Sequence, residues 1–183
     1  VYWLPSRLAT FREQYPQVEV RYRLGSSGEL ARDVERGELV QAIVGAGPGH
    51  QQETEFRSVP VASDQLIFVG APGLLNRRMS GDPPPLYWRE KGSSTRAVTE
   101  MKFSQALSTF VRRVELPSNE AIKEAVLAGL GFAVLSTWSI RRELKSGALV
   151  KGPGFDITAS RQFHAIRRSD TPLLQADLAL WSF

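Results

Sequence analysis

A chain of 183 residues, 42% hydrophobic and 23% charged, can bury a full core as one large domain or two small ones. That is ordinary globular composition, and no window approaches the roughly 18 apolar residues that a membrane-spanning helix requires. The absence of cysteine excludes disulfides, thiolate nucleophiles and sulfur-bound metals. His50 and His164 are the only histidines, and no paired acidic motif stands out, so no metal site, cofactor or catalytic relay is expected. The net charge of +4 is spread over scattered pairs (Arg77-Arg78, Arg112-Arg113, Arg141-Arg142, Arg167-Arg168), which read more readily as solvated surface than as a nucleic-acid face. The chain begins at Val1, and no signal peptide is legible.

Helix and strand signals alternate from the start. Leu4, Leu8, Phe11 and Tyr15 share one helical face, with Pro5 in the first turn and Pro16 as a stop. Val18, Val20, Tyr22 and Leu24 alternate with Glu19, Arg21 and Arg23, the pattern of a half-buried strand. Gly25-Ser26-Ser27-Gly28 then turns into a helix that carries Leu30 and Val34 and stops at Gly37. Residues 39–44 and 65–70 read as two further strands, which gives the βα rhythm of a parallel sheet.

Residues 71–85, rich in Gly, Pro and Arg, behave as a connector. The rhythm restarts with strand Leu86-Tyr87-Trp88, a loop over 89–94 and a helix from Thr95 to about Leu107. An apolar segment at 111–116 precedes a helix from Asn119 with Ile122, Val126 and Leu130 on one face. Gly129 and Gly131 end it before a buried strand over 132–135. A helix from Trp138 to Lys145, a late strand over 162–166 and a terminal helix opened by Pro172 complete the chain. Two βα halves joined by a connector imply two lobes, with a ligand between them at the carboxyl ends of the strands.

Three motifs sit at such strand ends. Ser26 with Glu29 fits a capping box, and the same free amides could hold an anion or carbonyl. The run Gly92-Ser93-Ser94-Thr95-Arg96 repeats that arrangement in the second half. Gly92 allows close backbone approach and the three hydroxyls suit an oxyanion, while Arg96 could add charge, face solvent or pair with Glu100. It is not a phosphate-binding P-loop, because no Gly-Lys-Ser/Thr ending is present. Ser136-Thr137 closes the buried strand and could equally cap the helix at Trp138. Pro117 to Glu120 reads as a helix start only. His164, in an apolar strand, reads as structural.

The order and spacing of these segments resemble the effector-binding domain of LysR-type transcriptional regulators. Leu4-Pro5, Phe11, Tyr15-Pro16, the segment 18–24 and Gly37-Glu38-Leu39 resemble the family's first lobe. The run from Arg89 to Arg96 is similar to its second-lobe effector loop. Ser118 to Lys123 with Ala128 to Ser136 resembles its long second-lobe helix and the strand that follows. The resemblance covers nearly the whole chain. It implies an α/β fold of two Rossmann-like lobes with a ligand cleft between them, like type-2 periplasmic binding proteins. The first lobe would take residues 1–71 and 155–183, and the second 72–154. It further implies a cytoplasmic homodimer or tetramer that reaches DNA only through an N-terminal winged helix-turn-helix outside these residues. In the dimer, the helix 5–15 of one chain would pack beside the helix 118–129 of its partner.

On this reading the small-molecule effector is held by Ser26, Gly45, Ala46, Ser93, Ser94, Thr95 and Ser136. Hydroxyl-rich helix starts favour a small anion, such as an organic acid or a sulfur or nitrogen oxyanion. Three departures from the family stand out. Its usual strand and Ser/Thr-bearing loop before Leu4-Pro5 are not in view, Val40-Gln41 stands where an Asp is common, and the connector near 79–85 is short. A transporter's solute-binding protein would share the fold but not the pattern. An enzyme on this scaffold, such as a deaminase or dehydratase, would need an acid, base or nucleophile that does not appear.

Overall fold

Residues 66–69 and 132–135 are apolar on both faces of their strands, and that pattern requires helices above and below a sheet. The computed structural model, which describes residues 4–45, 55–74, 84–152 and 158–172, shows this arrangement. Strand β2 (Phe56–Gly70) pairs antiparallel with β5 (Phe132–Ser136). Strand β3 (Leu86–Arg89) runs parallel to both β5 and β4 (Arg113–Leu116). Short β6 (Val150–Lys151) pairs with the end of β2.

Side-chain alternation sends successive residues into two cores. Leu66, Phe68, Phe132 and Val134 face helices α3 (Ser94–Lys102) and α4 (Ser104–Ser108), together with Val98, Phe103 and Leu107. Phe68 stacks on Phe132 at 5.4 Å, and Phe110 meets Phe132 edge-on at 5.9 Å. On the other face Ile67, Val69, Ala133 and Leu135 pack with Ile122 and Val126 of α5 (Asn119–Leu127), with Leu144 of α6 (Arg141–Ser146) set against them.

The chain divides into two compact units, Val1–Ala62 with Phe163–Phe183, and Ser63–Gln162. The boundaries of these units fall inside two strands, β2 and β7 (Thr158–Arg168). In the first unit, β1 (Gln41–Val44) runs antiparallel to β7 from Gln41↔Arg167 to Val44↔His164. Its core gathers Val34 of α2 (Ser27–Glu35), Ala42, Val44, Phe56 and Ile166, while α1 (Leu4–Gln14) buries Phe11.

Several sequence expectations need correction. Residues 18–24 form no strand: they have no ladder partner among the described residues, and Tyr22 and Leu24 stand 70% exposed. The strand expected over 65–70 begins at Phe56, with Pro60, a residue that counts against a strand, inside its largely exposed first half. The helix expected over 95–107 is broken at fully buried Phe103, which leaves helical geometry. The helix expected from Trp138 starts at Arg141 after a turn. The sheet is mixed rather than parallel, since β1, β2 and β7 take part in antiparallel pairs. A terminal helix after Pro172 lies outside the described residues.

Gly131 shows how tightly β3 and β5 are drawn together. A Cβ there would sit 2.3 Å from the Pro85 carbonyl oxygen and 2.8 Å from the Tyr87 ring. That same carbonyl accepts the Phe132 amide at 3.0 Å, so an added methyl must displace a sheet hydrogen bond. Gly131→Ala should therefore cost about 1–3 kcal/mol in urea unfolding. Gly73→Ala, with nothing within 4 Å of the added Cβ, should stay within about 0.5 kcal/mol of wild type. Equal stability of the two variants would contradict this account of the β3–β5 approach.

Candidate functional site

Charged residues at inward-facing strand positions are rare unless paired, and Ser63–Gln162 contains such a pair. Asp64 of β2 has a fully buried side chain, and that of Arg161 of β7 is 6% exposed. The Arg161 Nε and Nη2 atoms lie 2.9 and 2.7 Å from Asp64 Oδ2. The other carboxylate oxygen, Oδ1, accepts the Ser136 hydroxyl at 2.8 Å. Arg161 Nη1 donates to Thr95 Oγ1 at 2.9 Å and to Ser94 Oγ at 3.3 Å. The planar guanidinium thus ties the carboxylate on one edge to two hydroxyls on another. Burial pulls the Arg161 pKa below its usual value, against the opposing pull of Asp64. The lost hydration of a buried ion must be replaced by such directed contacts.

Local sequence explains how the hydroxyls arrive there. Strand β3 ends at Arg89, Gly92 takes a left-handed turn at φ +91, and α3 begins at Ser94. Ser93 holds the N-cap position, but its side chain makes no capping hydrogen bond. Ser93 and Thr95 are buried and Ser94 half-buried. Ser136 sits at the end of β5, where its proton goes to Asp64 and its oxygen accepts the Trp138 amide at 3.2 Å. Four of the expected site residues, Ser93, Ser94, Thr95 and Ser136, therefore lie in one unit, and three of them are in one hydrogen-bond network.

The others belong to Val1–Ala62. Ser26 completes the expected capping box: its oxygen accepts the Glu29 amide at 3.3 Å, and its own amide donates to Glu29 Oε2 at 2.8 Å. Those bonds hold the Glu29 pKa below the ordinary carboxylate value. Gly45 donates its amide to Ser27 Oγ at 3.1 Å, so the neighbouring serine ties this loop to α2. Ala46 and His50 lie outside the described residues.

Of the alternatives open for Arg96, pairing within the protein is the one seen. It bonds Glu100 at 2.9 Å, also reaches Glu115, and lies 4.0 Å over the Trp88 ring. His164 meets Ser58 Oγ at 3.0 Å and reads as structural. Sequence reasoning missed Asp64 and Arg161. A lone acid opening an apolar strand was the available signal for Asp64, whereas Arg161 stands among polar neighbours that mark nothing. Both residues line a cavity of about 680 Å³ with Gln65, Thr137, Trp138 and Gln162. Among the described residues no group of His, Asp or Glu is disposed to hold a metal ion.

If this pair organises the unit, Arg161→Met should cost about 3–5 kcal/mol, because it strands Asp64 as a buried charge. Adding Asp64→Asn should recover much of that loss in a double-mutant cycle followed by urea unfolding. Additive losses would show that the two residues act independently.

The chain as a whole is similar to known proteins. The family model described as LysR substrate binding domain matches residues 1–183. The transcriptional regulator CbbR of Sinorhizobium medicae is 32% identical over 187 residues, covering 96% of this chain and 58% of its own length. CbbR of Xanthobacter flavus is 33% identical over 191 residues, covering 100% of this chain and 56% of its own. The chain thus spans a little over half the length of these curated relatives. Among solved structures, the regulatory domain of CcmR from Synechocystis, in complex with 2-PG, superposes with a TM-score of 0.75 at 24% identity, covering 97% of this chain and 86% of that one. The fold shared with solved regulatory domains and the family match over every residue agree: this chain belongs to the LysR substrate-binding domain family, the effector-binding part of LysR-type regulators.

Proposed function

We propose that the chain senses a small anionic effector for a bacterial LysR-type transcriptional regulator. Ser93, Ser94, Thr95 and Ser136 supply the share of the effector site in 72–154, the second regulatory lobe. Ser26, Gly45 and Ala46 supply that of the first lobe, 1–71 with 155–183. The observation that carries this reading is the hydroxyl pair at the start of α3, held by a buried guanidinium. Hydroxyl donors backed by a cation suit an oxyanion, and the CcmR regulatory domain, solved in complex with 2-PG, makes that compound the first to try. A transporter's binding protein is not favoured, since the relatives are transcriptional regulators.

The effector acts by favouring one state of an oligomer, and binding therefore carries over to DNA affinity. DNA contact belongs to a winged helix-turn-helix outside these residues, and the regulator works in the cytoplasm without turnover of its ligand. No described helix is long and apolar enough to cross a membrane. Dimerisation pairs α1 of one chain with α5 of its partner, and exposed Tyr22, Leu24 and Leu130 offer apolar surface for association. Sedimentation at micromolar concentration should show a dimer, and monomer alone would count against this assembly.

A thermal-shift screen of small anions, 2-PG included, should raise the unfolding midpoint, because a ligand that binds only the native state stabilises it. Thr95→Val keeps the shape and removes the hydroxyl. It should weaken the best anion by about 1–3 kcal/mol in calorimetry. Equal affinity in wild type and variant would reduce Thr95 to a helix-start residue.

A further inference from the structure

A hydroxyl can serve a ligand only if the main chain that carries it is held in place. The turn that carries Ser94 and Thr95 is lightly bonded within itself. Ser93 donates its amide to the Glu90 carbonyl oxygen at 3.3 Å, Ala97 donates to that of Ser93 at 3.0 Å, and the Ser93 side chain adds no capping bond. Arg96, whose side chain is 10% exposed, supplies the missing ties. Its Nη1 donates at 3.2 Å to the carbonyl oxygen of Arg89, the last residue of β3, so one guanidinium joins both ends of the segment that contains Ser94 and Thr95. The same nitrogen reaches Glu115 of β4, and Nε donates at 2.9 Å to Glu100 one helical turn on. The guanidinium carbon lies 4.0 Å over the Trp88 ring. Trp88 and Glu115 are partners in the parallel β3–β4 ladder, so Arg96 docks the start of α3 on two adjacent strands at once.

Resting on the anion reading above, we infer that Arg96 is a positioning residue of the effector site, fixing the main chain from which Ser94 and Thr95 project without itself meeting the ligand. Arg161 contacts the two hydroxyls, and Arg96 holds the backbone that bears them. The four contacts suit a guanidinium, whose N–H groups diverge in a plane and whose face stacks on an aromatic ring; a lysine ammonium carries the same charge with neither property. With Glu100 and Glu115 as its partners, Arg96 brings no net positive charge to the corner. If Arg96 served the anion by attraction alone, lysine would replace it and loss of Glu115 would strengthen binding. Positioning predicts the reverse on both counts.

Calorimetric titration with 2-PG, or with sulfate where 2-PG does not bind, separates the two. Arg96→Lys, with its charge kept, should weaken binding about fivefold or more. Glu115→Ala removes a negative charge on a half-exposed side chain, yet it should weaken binding about two- to threefold. Hydrogen exchange followed by NMR reads the same effect without a ligand. In Arg96→Lys the Ala97 amide should exchange about tenfold faster than in wild type, while the Phe132 amide, bonded to the Pro85 carbonyl in the sheet, changes less. Should Arg96→Lys fail to fold, Glu115→Ala carries both measurements.

Wild-type affinity in Arg96→Lys, or unchanged or tighter binding in Glu115→Ala, overturns the inference and leaves anion binding intact. Unchanged exchange at Ala97 in the folded variants overturns it too. If wild type binds neither 2-PG nor sulfate, the anion reading falls and this inference falls with it.

Discussion

The buried contact between Asp64 and Arg161 is the constraint on which the rest of the unit Ser63–Gln162 turns. It joins β2 to β7, the two strands that run across the unit boundary, through an ion pair that solvent scarcely reaches. A pair so placed contributes little net stability, because the lost hydration offsets most of the attraction. What it contributes is uniqueness of arrangement. With Ser136, Ser94 and Thr95 bonded to the same two residues, the end of β5, the middle of β2 and the start of α3 hold one geometry. An apolar pair of the same volume would fill the space and leave the hydroxyls unoriented.

Packing supports this polar centre from both sides. The aromatic contacts of Phe68, Phe110 and Phe132 lie on one face of the sheet, and Ile67, Ala133 and Leu135 lie against α5 on the other. Gly131 lets the start of β3 approach β5 closely, at Pro85 and Tyr87. The cation of Arg96 is drawn away by Glu100, Glu115 and the Trp88 ring, so the charge nearest the hydroxyl pair comes from β7 instead.

The pattern of residues made much of this legible. Alternation and caps located α1, α2, β3, α5 and β5, and the capping box at Ser26 and Glu29 formed as its spacing required. Ser94, Thr95 and Ser136, singled out as hydroxyls at strand ends, share one hydrogen-bond network with Asp64 and Arg161. The failures share a cause, because each depended on partners distant in the chain. The segment 18–24 has the alternation of a strand, yet a strand exists only where a neighbour accepts its ladder. The first half of β2 carries Pro60, which counts against a strand, and is ordered by its place beside β7. Arg161 lies 97 residues from Asp64, and its polar neighbours Ser160 and Gln162 do nothing to distinguish it. A long-range ion pair leaves no periodic trace.

The central claim is that a buried ion pair orients the hydroxyls that meet the effector. The most direct measurement is a crystal structure of the chain with a bound oxyanion, sulfate or 2-PG. The account predicts anion oxygens within hydrogen-bond distance of Ser94 Oγ and Thr95 Oγ1, with Arg161 still seated on Asp64 and donating to both hydroxyls. An anion bound directly by an Arg161 that has left Asp64, or one bound away from Ser94 and Thr95, would contradict it.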